Sequence, residues 1–246
     1  MTSIEKSNYL LETMELDNFL FYIYDRTINH SFKIQKIVET KHFFDRLLLK
    51  YTDPVAISVD NEKIPRCYHD INHIAEGVRD LVDIEQDFKS INLVLIAWFY
   101  HDSHYLVGSN SDNEKMSADY SLMDLIRMGW SGEKAGKVYD LIMWTKHKEN
   151  PPENDYEANL IVDVDLLRAS ASPFEAFSLS TEMIRKEFSI YSEEDWSKGR
   201  LKFWEDFLKM KNGRIFRTSH FSHLNEIALD NINKSIELLK TNNRIL

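Results

Sequence analysis

The chain has 246 residues, 43% of them hydrophobic, and a formal charge of −10; it can build a sizeable core but lacks the dense basic face that a nucleic-acid polymer requires. Seven Gly and five Pro are too few for the many tight turns of a sandwich or barrel, so an all-β architecture is excluded and helices are the natural reading. A single cysteine, Cys67, rules out an internal disulfide or a cysteine-based zinc site and is compatible with a reducing cytosol.

Taken in chain order, YLLETMELDNFLFYIY (Tyr9 to Tyr24) repeats apolar residues at three- and four-residue spacing and predicts a helix. A second helix is expected from Phe32 to Tyr51, stopping by Asp53-Pro54 because proline disfavours a helical residue before it. Pro54 to Pro65 reads as a polar connection into RCYHDINHIAEGVRDL. SINLVLIAWFYHD is apolar on every face, which marks a central helix ending in His101-Asp102. A loop from Gly108 to Asn113 precedes two helices, MSADYSLMDLIRMG and GEKAGKVYDLIMWTKH, and Lys148 to Asp155 is a further loop. ANLIVDVDLLRA, FEAFSLSTEMIRKEFSIY, WSKGRLKFWEDFLKM and LNEIALDNINKSIELLK then continue the helical period.

The longest unbroken apolar run, Leu93 to Tyr100, falls far short of the about 20 residues that span a bilayer. Glu5, Glu12, Glu15 and Asp17 interrupt the N-terminus where a secretory leader would be apolar. A soluble, unprocessed, cytoplasmic chain without a membrane partner is expected.

Placing His101 and Asp102 directly after eight apolar residues is costly unless both are paired. A metal ion meets that need, since imidazole and carboxylate are a usual ligand set for Zn, Mn or Fe; a hydrogen-bonded core pair is the alternative. His69 and His73, four apart, lie on one face if that stretch is helical, and either could then reach an inward-facing metal. Asp163 and Asp165 stand inside the apolar run LIVDVDLL, where at least one needs a strong partner. In a helix they point to nearly opposite faces, so one metal would take only one of them.

In this order, RCYHDINHI, AWFYHDSHY, DNEKMSA, WTKH, DVDLL, IRKEF, KGR and a terminal LNEIALDNI resemble the HD superfamily, and more closely its bacterial branch of predicted metal-dependent HD phosphohydrolases. The resemblance runs from about Thr40 to the C-terminus. It implies an HD-type helical bundle over residues 40–246, with residues 1–39 as an N-terminal helical extension. Packing and dimerisation are the roles open to that extension, so a homodimer is among the expected assemblies. It also implies that His73, His101, Asp102 and Asp165 ligate a divalent cation (Mn, Fe, Co, Ni, Zn or Mg), with Asp163 the second choice for the last position. One or two ions are expected per chain, His147 being either a ligand to the second or a histidine favoured at a helix C-terminus.

The substrate so implied is a small phosphorylated molecule, a phosphate ester or anhydride in the nucleotide class. Arg66, His69 and Lys146 are the candidates to bind its phosphoryl oxygens. Asp102 sits at the catalytic centre, and Glu114 could exchange a proton with water there unless it is simply a helix N-terminal carboxylate. A di-iron oxygenase and a metal-binding regulatory protein without turnover remain as alternatives. Arg185, Glu187 and Arg200 are read as salt-bridge or packing residues, and His104, His220 and His223 are left out of the ligand set.

Overall fold

A computed structural model describes residues 15–31, 37–52, 55–58, 63–84, 91–108, 112–170 and 173–241. The fold is all-α, as the scarcity of glycine and proline predicts. Two units account for it, each assembled from separated stretches of chain.

The first unit takes in Met1–Asp53, His69–Tyr105 and Asp112–Thr145. Its described helices are α1 (Leu16–Ser31), α2 (Ile37–Thr52), α3 (Ile71–Ile84), α4 (Asn92–Tyr100), α5 (Asn113–Arg127) and α6 (Gly132–Trp144). In α1, Phe19, Leu20, Ile23, Tyr24 and Ile28 recur every three to four residues and are fully buried. The helix continues past Tyr24, where the periodicity was expected to end, because Ile28 prolongs this stripe and the Thr27 hydroxyl donates to the Ile23 carbonyl at 2.7 Å. Residues 9–14 of the first expected helix and 32–36 of the second lie outside the described residues.

Every residue of α4 from Val94 to Tyr100 is buried, and the helix packs against α1, α3, α5 and α6. Side-chain caps start α5 and α6: Asp112 accepts from the Lys115 N–H and Ser131 from the Lys134 N–H. Between these two helices the chain turns at Gly129, whose φ of +89° is a left-handed conformation that glycine adopts without penalty.

The second unit takes in Pro54–Tyr68, Leu106–Ser111 and Lys146–Leu246. It contains α7 (Tyr156–Asp165), α8 (Phe174–Glu187), α9 (Glu193–Lys211) and α10 (Asn225–Lys240), with short 3-10 turns at Leu167–Ser170 and Ser222–Leu224. Strands β1 (Val55–Ser58), β2 (Lys63–Pro65) and β3 (Leu106–Val107) form a small sheet in the order β2-β1-β3. β1 pairs antiparallel with β2 (Ala56 opposite Ile64) and parallel with β3 (Ile57 opposite Leu106). The segment Pro54 to Pro65 is therefore not only a polar connection. Strands of three or four residues are too short to show a period of two in the sequence.

Among the described residues, no helix is long and apolar enough to cross a membrane.

Candidate metal centre

In the first unit the site begins with a helix cap. Asp70 immediately precedes α3, and its Oδ1 accepts from the backbone N–H of Asn72 at 2.9 Å and of His73 at 3.2 Å. The cap fixes the first turn of α3, where His73 is only 3% exposed. One turn later stands Gly77. A Cβ there would lie 2.2 Å from Cε2 and Cζ2 of Trp98, so the absence of a side chain is what allows α3 to approach the indole of α4 so closely. The Trp98 Nε1–H in turn donates to the Ile74 carbonyl at 2.9 Å, tying α4 to α3.

Trp98 also sets the geometry of His101. The two rings stack with centroids 4.2 Å apart and planes 20° from parallel. His101 Nδ1 lies 2.8 Å from the Trp98 carbonyl oxygen. A carbonyl can only accept, so Nδ1 carries the hydrogen, and in the neutral ring Nε2 presents its lone pair. That nitrogen is 3.0 Å from Asp102 Oδ2, and His73 Nε2 is 3.8 Å from the same oxygen. The two imidazole centroids are 5.4 Å apart. His73, His101 and Asp102 are thus brought together within one unit, with both histidines buried and Asp102 half-buried.

Three other singled-out residues belong to this unit. His69 is half-buried, its ring 4.3 Å from that of Tyr105 and 6.2 Å from that of His73. Glu114 lies in the first turn of α5, as its helix-dipole reading requires. His104 donates its backbone N–H to Ser117 Oγ at 3.0 Å and sets its ring edge against Tyr120, a packing role that fits its omission from the ligand set. Behind His101, Tyr100 shares a 3.0 Å hydrogen bond with Tyr24 and donates to buried Asp124 at 3.5 Å; burial pushes the ionisation of all three upward.

In the second unit the two acids of LIVDVDLL diverge as the helical reading predicts. Asp163 is fully buried and accepts from the Arg217 N–H (2.9 and 3.0 Å), the Thr218 N–H (2.7 Å) and the Thr218 hydroxyl (2.7 Å). Burial pushes its carboxyl above the usual range, opposed by those bonds and by the charge of Lys211. Its task is to clamp residues 217–218. Asp165, the last residue of α7, instead pairs through Oδ2 with His147 Nε2 at 2.8 Å. His147 has a φ of +52°, a left-handed conformation uncommon for a side chain of this size and a local cost of about 1–3 kcal/mol that its surroundings must offset.

Arg66 and Lys146 are half-buried members of this unit. Arg185 closes α8, donating to the Phe188 and Tyr191 carbonyls and pairing with Glu193, and Arg200 lies over the Trp204 ring; both are structural, as expected. Glu187 does more than an ion pair would. It is fully buried, and its Oε1 accepts from the backbone N–H of Cys67 (2.8 Å) and Tyr68 (2.7 Å), anchoring the strand-to-helix segment from α8.

Asp70, Gly77 and Trp98 were not singled out from the sequence. Their signals were nevertheless present: an Asp three residues before a histidine that opens a helix, a Gly one turn after it, and a Trp one turn before His101. No family model matches the chain, and no curated protein or solved structure is similar enough to be matched with it.

Proposed function

We propose that the protein is a metal-dependent phosphohydrolase in which His73, His101 and Asp102 hold a divalent cation, with Asp165 as the further ligand that the resemblance implies. The observation that carries this reading is the orientation of His101. With its Nδ1–H committed to the Trp98 carbonyl, the Nε2 lone pair and the Asp102 carboxylate are two electron-pair donors 3.0 Å apart. With a neutral ring that juxtaposition is repulsive, and a metal ion between the two donors relieves it as a second proton on the imidazole would. The hydrogen bond at Nδ1 is also how metal-bound histidines are commonly oriented, and a His/Asp donor set suits Zn, Mn, Fe, Co or Ni.

When bound, such an ion lowers the pKa of an attached water and neutralises phosphoryl charge. The remaining roles belong to the chain. Arg66, with its planar pair of donors, binds and orients phosphoryl oxygens, assisted by His69 and Lys146. Glu114 accepts a proton from the attacking water. Nucleotides and other phosphate esters are the substrate class that the resemblance supplies.

Elemental analysis of freshly purified protein is expected to find about one or two divalent ions per chain. Protein so loaded should hydrolyse members of a phosphate-ester and nucleotide panel, and Asp102→Asn should lose both the ion and turnover. A chain that binds none of Mn, Fe, Co, Ni or Zn in titration removes the basis of the proposal. Oxygen consumption without phosphate release would replace it with the oxygenase reading.

A further inference from the structure

Among the described residues, five of the exposed large hydrophobic side chains stand one to a helix: Leu49 on α2, Tyr156 on α7, Leu179 on α8, Phe203 on α9 and Ile227 on α10. Scattered in this way they are ordinary on a protein surface. Met116, Met123 and Ile126 differ, because all three belong to α5, where they are 38%, 51% and 47% exposed. Their spacing of seven and three residues puts them on one side of the helix. The other side already faces the core, with Ser117, Ala118, Ser121, Asp124 and Leu125 buried. α5 is therefore apolar on two faces, of which the fold covers one.

Charge is ordered along the uncovered face. Asp119, Met123 and Arg127 follow one another at intervals of four residues, acid first and base last. Asp119 accepts from Lys115 Nζ through one oxygen, Oδ2, at 2.6 Å, and its side chain stays half exposed. The Arg127 side chain is exposed and has no hydrogen bond or ion pair among the described residues. An acid–apolar–base order is complementary to its own reverse. When a second α5 lies antiparallel on the first, with the two-fold axis through Met123, Asp119 of each copy stands opposite Arg127 of the other, since both are four residues from the axis. A parallel pair would set like charges together. In the antiparallel pair Met116 lies past the end of the opposing helix, over the turn at Gly129. That turn has room for it: Gly129 is exposed, and a Cβ there would meet nothing within 4 Å.

We propose that two copies of the chain associate through this face of α5, antiparallel about Met123. The pairing needs neither metal nor substrate, and it seats a homodimer on α5 instead of on residues 1–39. One helix face is smaller than the roughly 800 Å² per partner of a standard interface, so the dimer should be weak and depend on protein concentration.

Sedimentation equilibrium of the full chain over a concentration series is the test. Wild type should pass from monomer to dimer as concentration rises. Met123→Lys places two ammonium groups at the axis and should leave only monomer. Arg127→Asp sets carboxylates opposite one another and should weaken the dimer about tenfold or more. Adding Asp119→Arg to that variant restores opposite charges in exchanged positions and should recover most of the lost affinity. These side chains are at the surface, so thermal unfolding of each variant should stay close to wild type. Should Met123→Lys fold poorly, the single and double charge exchanges decide the matter alone. A wild type that is monomeric at every concentration overturns the inference and leaves the face to a different protein. A dimer indifferent to Met123→Lys overturns it by placing the contact on another surface, and a double variant no tighter than Arg127→Asp alone overturns the antiparallel register.

Discussion

The C-terminal ends of α4 and α7 both set acids against buried apolar residues, Val94–Tyr100 in the one and Leu160–Val162 in the other. At α4 the ionisable pair comes after the last helical residue, and the preceding helix orients it through the stacked ring and backbone carbonyl of Trp98. At α7 the acids lie on the helix itself, two residues apart, and its geometry sends them to different partners. Asp163 saturates itself with residues 217–218, while Asp165 bonds to a histidine in a left-handed conformation. An acid in an apolar run is thus the same signal in two settings. What the carboxylate meets separates the two: backbone donors anchor Asp163, and an imidazole faces Asp165.

Breaking the two acids of α7 one at a time probes that separation most strongly. Asp163→Ala strands three buried donors, two N–H groups and a hydroxyl, and should cost about 3–5 kcal/mol in chemical denaturation. Asp165→Ala should cost less, about 1–3 kcal/mol, yet empty the site of metal. A reversal of the two results would exchange their roles.

A pH series sharpens the contrast between saturated Asp163 and Lys211, which is 2% exposed and has no hydrogen-bond acceptor within reach of its Nζ among the described residues. Folding lowers the lysine's pKa from 10.5 to about 8. Below the folded value both states are charged and the burial penalty is complete. Between the two values the folded state has released its proton and the unfolded state has not, so stability rises with pH; above the unfolded value the penalty is gone. The rise attributable to this group is about 3 kcal/mol, read by urea denaturation between the two pH values and absent in Lys211→Met. Equal pH slopes in wild type and variant would show that the lysine is not desolvated as described.

At the other helix end, Gly77→Ala forces a methyl group into the Trp98 ring and should cost about 1–3 kcal/mol. Because His101 stacks on that indole, the variant should also bind metal more weakly than its stability loss alone explains. Unaltered metal affinity in a destabilised Gly77→Ala would separate the packing of α3 on α4 from the orientation of the histidines.

Local rules were enough for much of this protein. The three-to-four-residue spacing of apolar side chains located the helices, the all-round apolarity of α4 marked it as central, and a two-residue offset on a helix was sufficient to separate Asp163 from Asp165. That His73, His101 and Asp102 need partners was legible for the same reason: histidine and aspartate beside a buried run need them wherever the chain goes. Their closeness was not, since it depends on Gly77 admitting the Trp98 ring. Nor could a sequence show that Glu187 reaches the N–H groups of Cys67 and Tyr68, or that Asp163 reaches Thr218, because those partners lie far along the chain and only folding brings them within hydrogen-bond distance. Lys211 is the sharpest case: at the end of a charged helix a lysine reads as solvated, and only tertiary packing over Phe207 removes it from water. Periodicity records which face of an element is buried; the partner that each buried polar group meets is a property of the assembled fold.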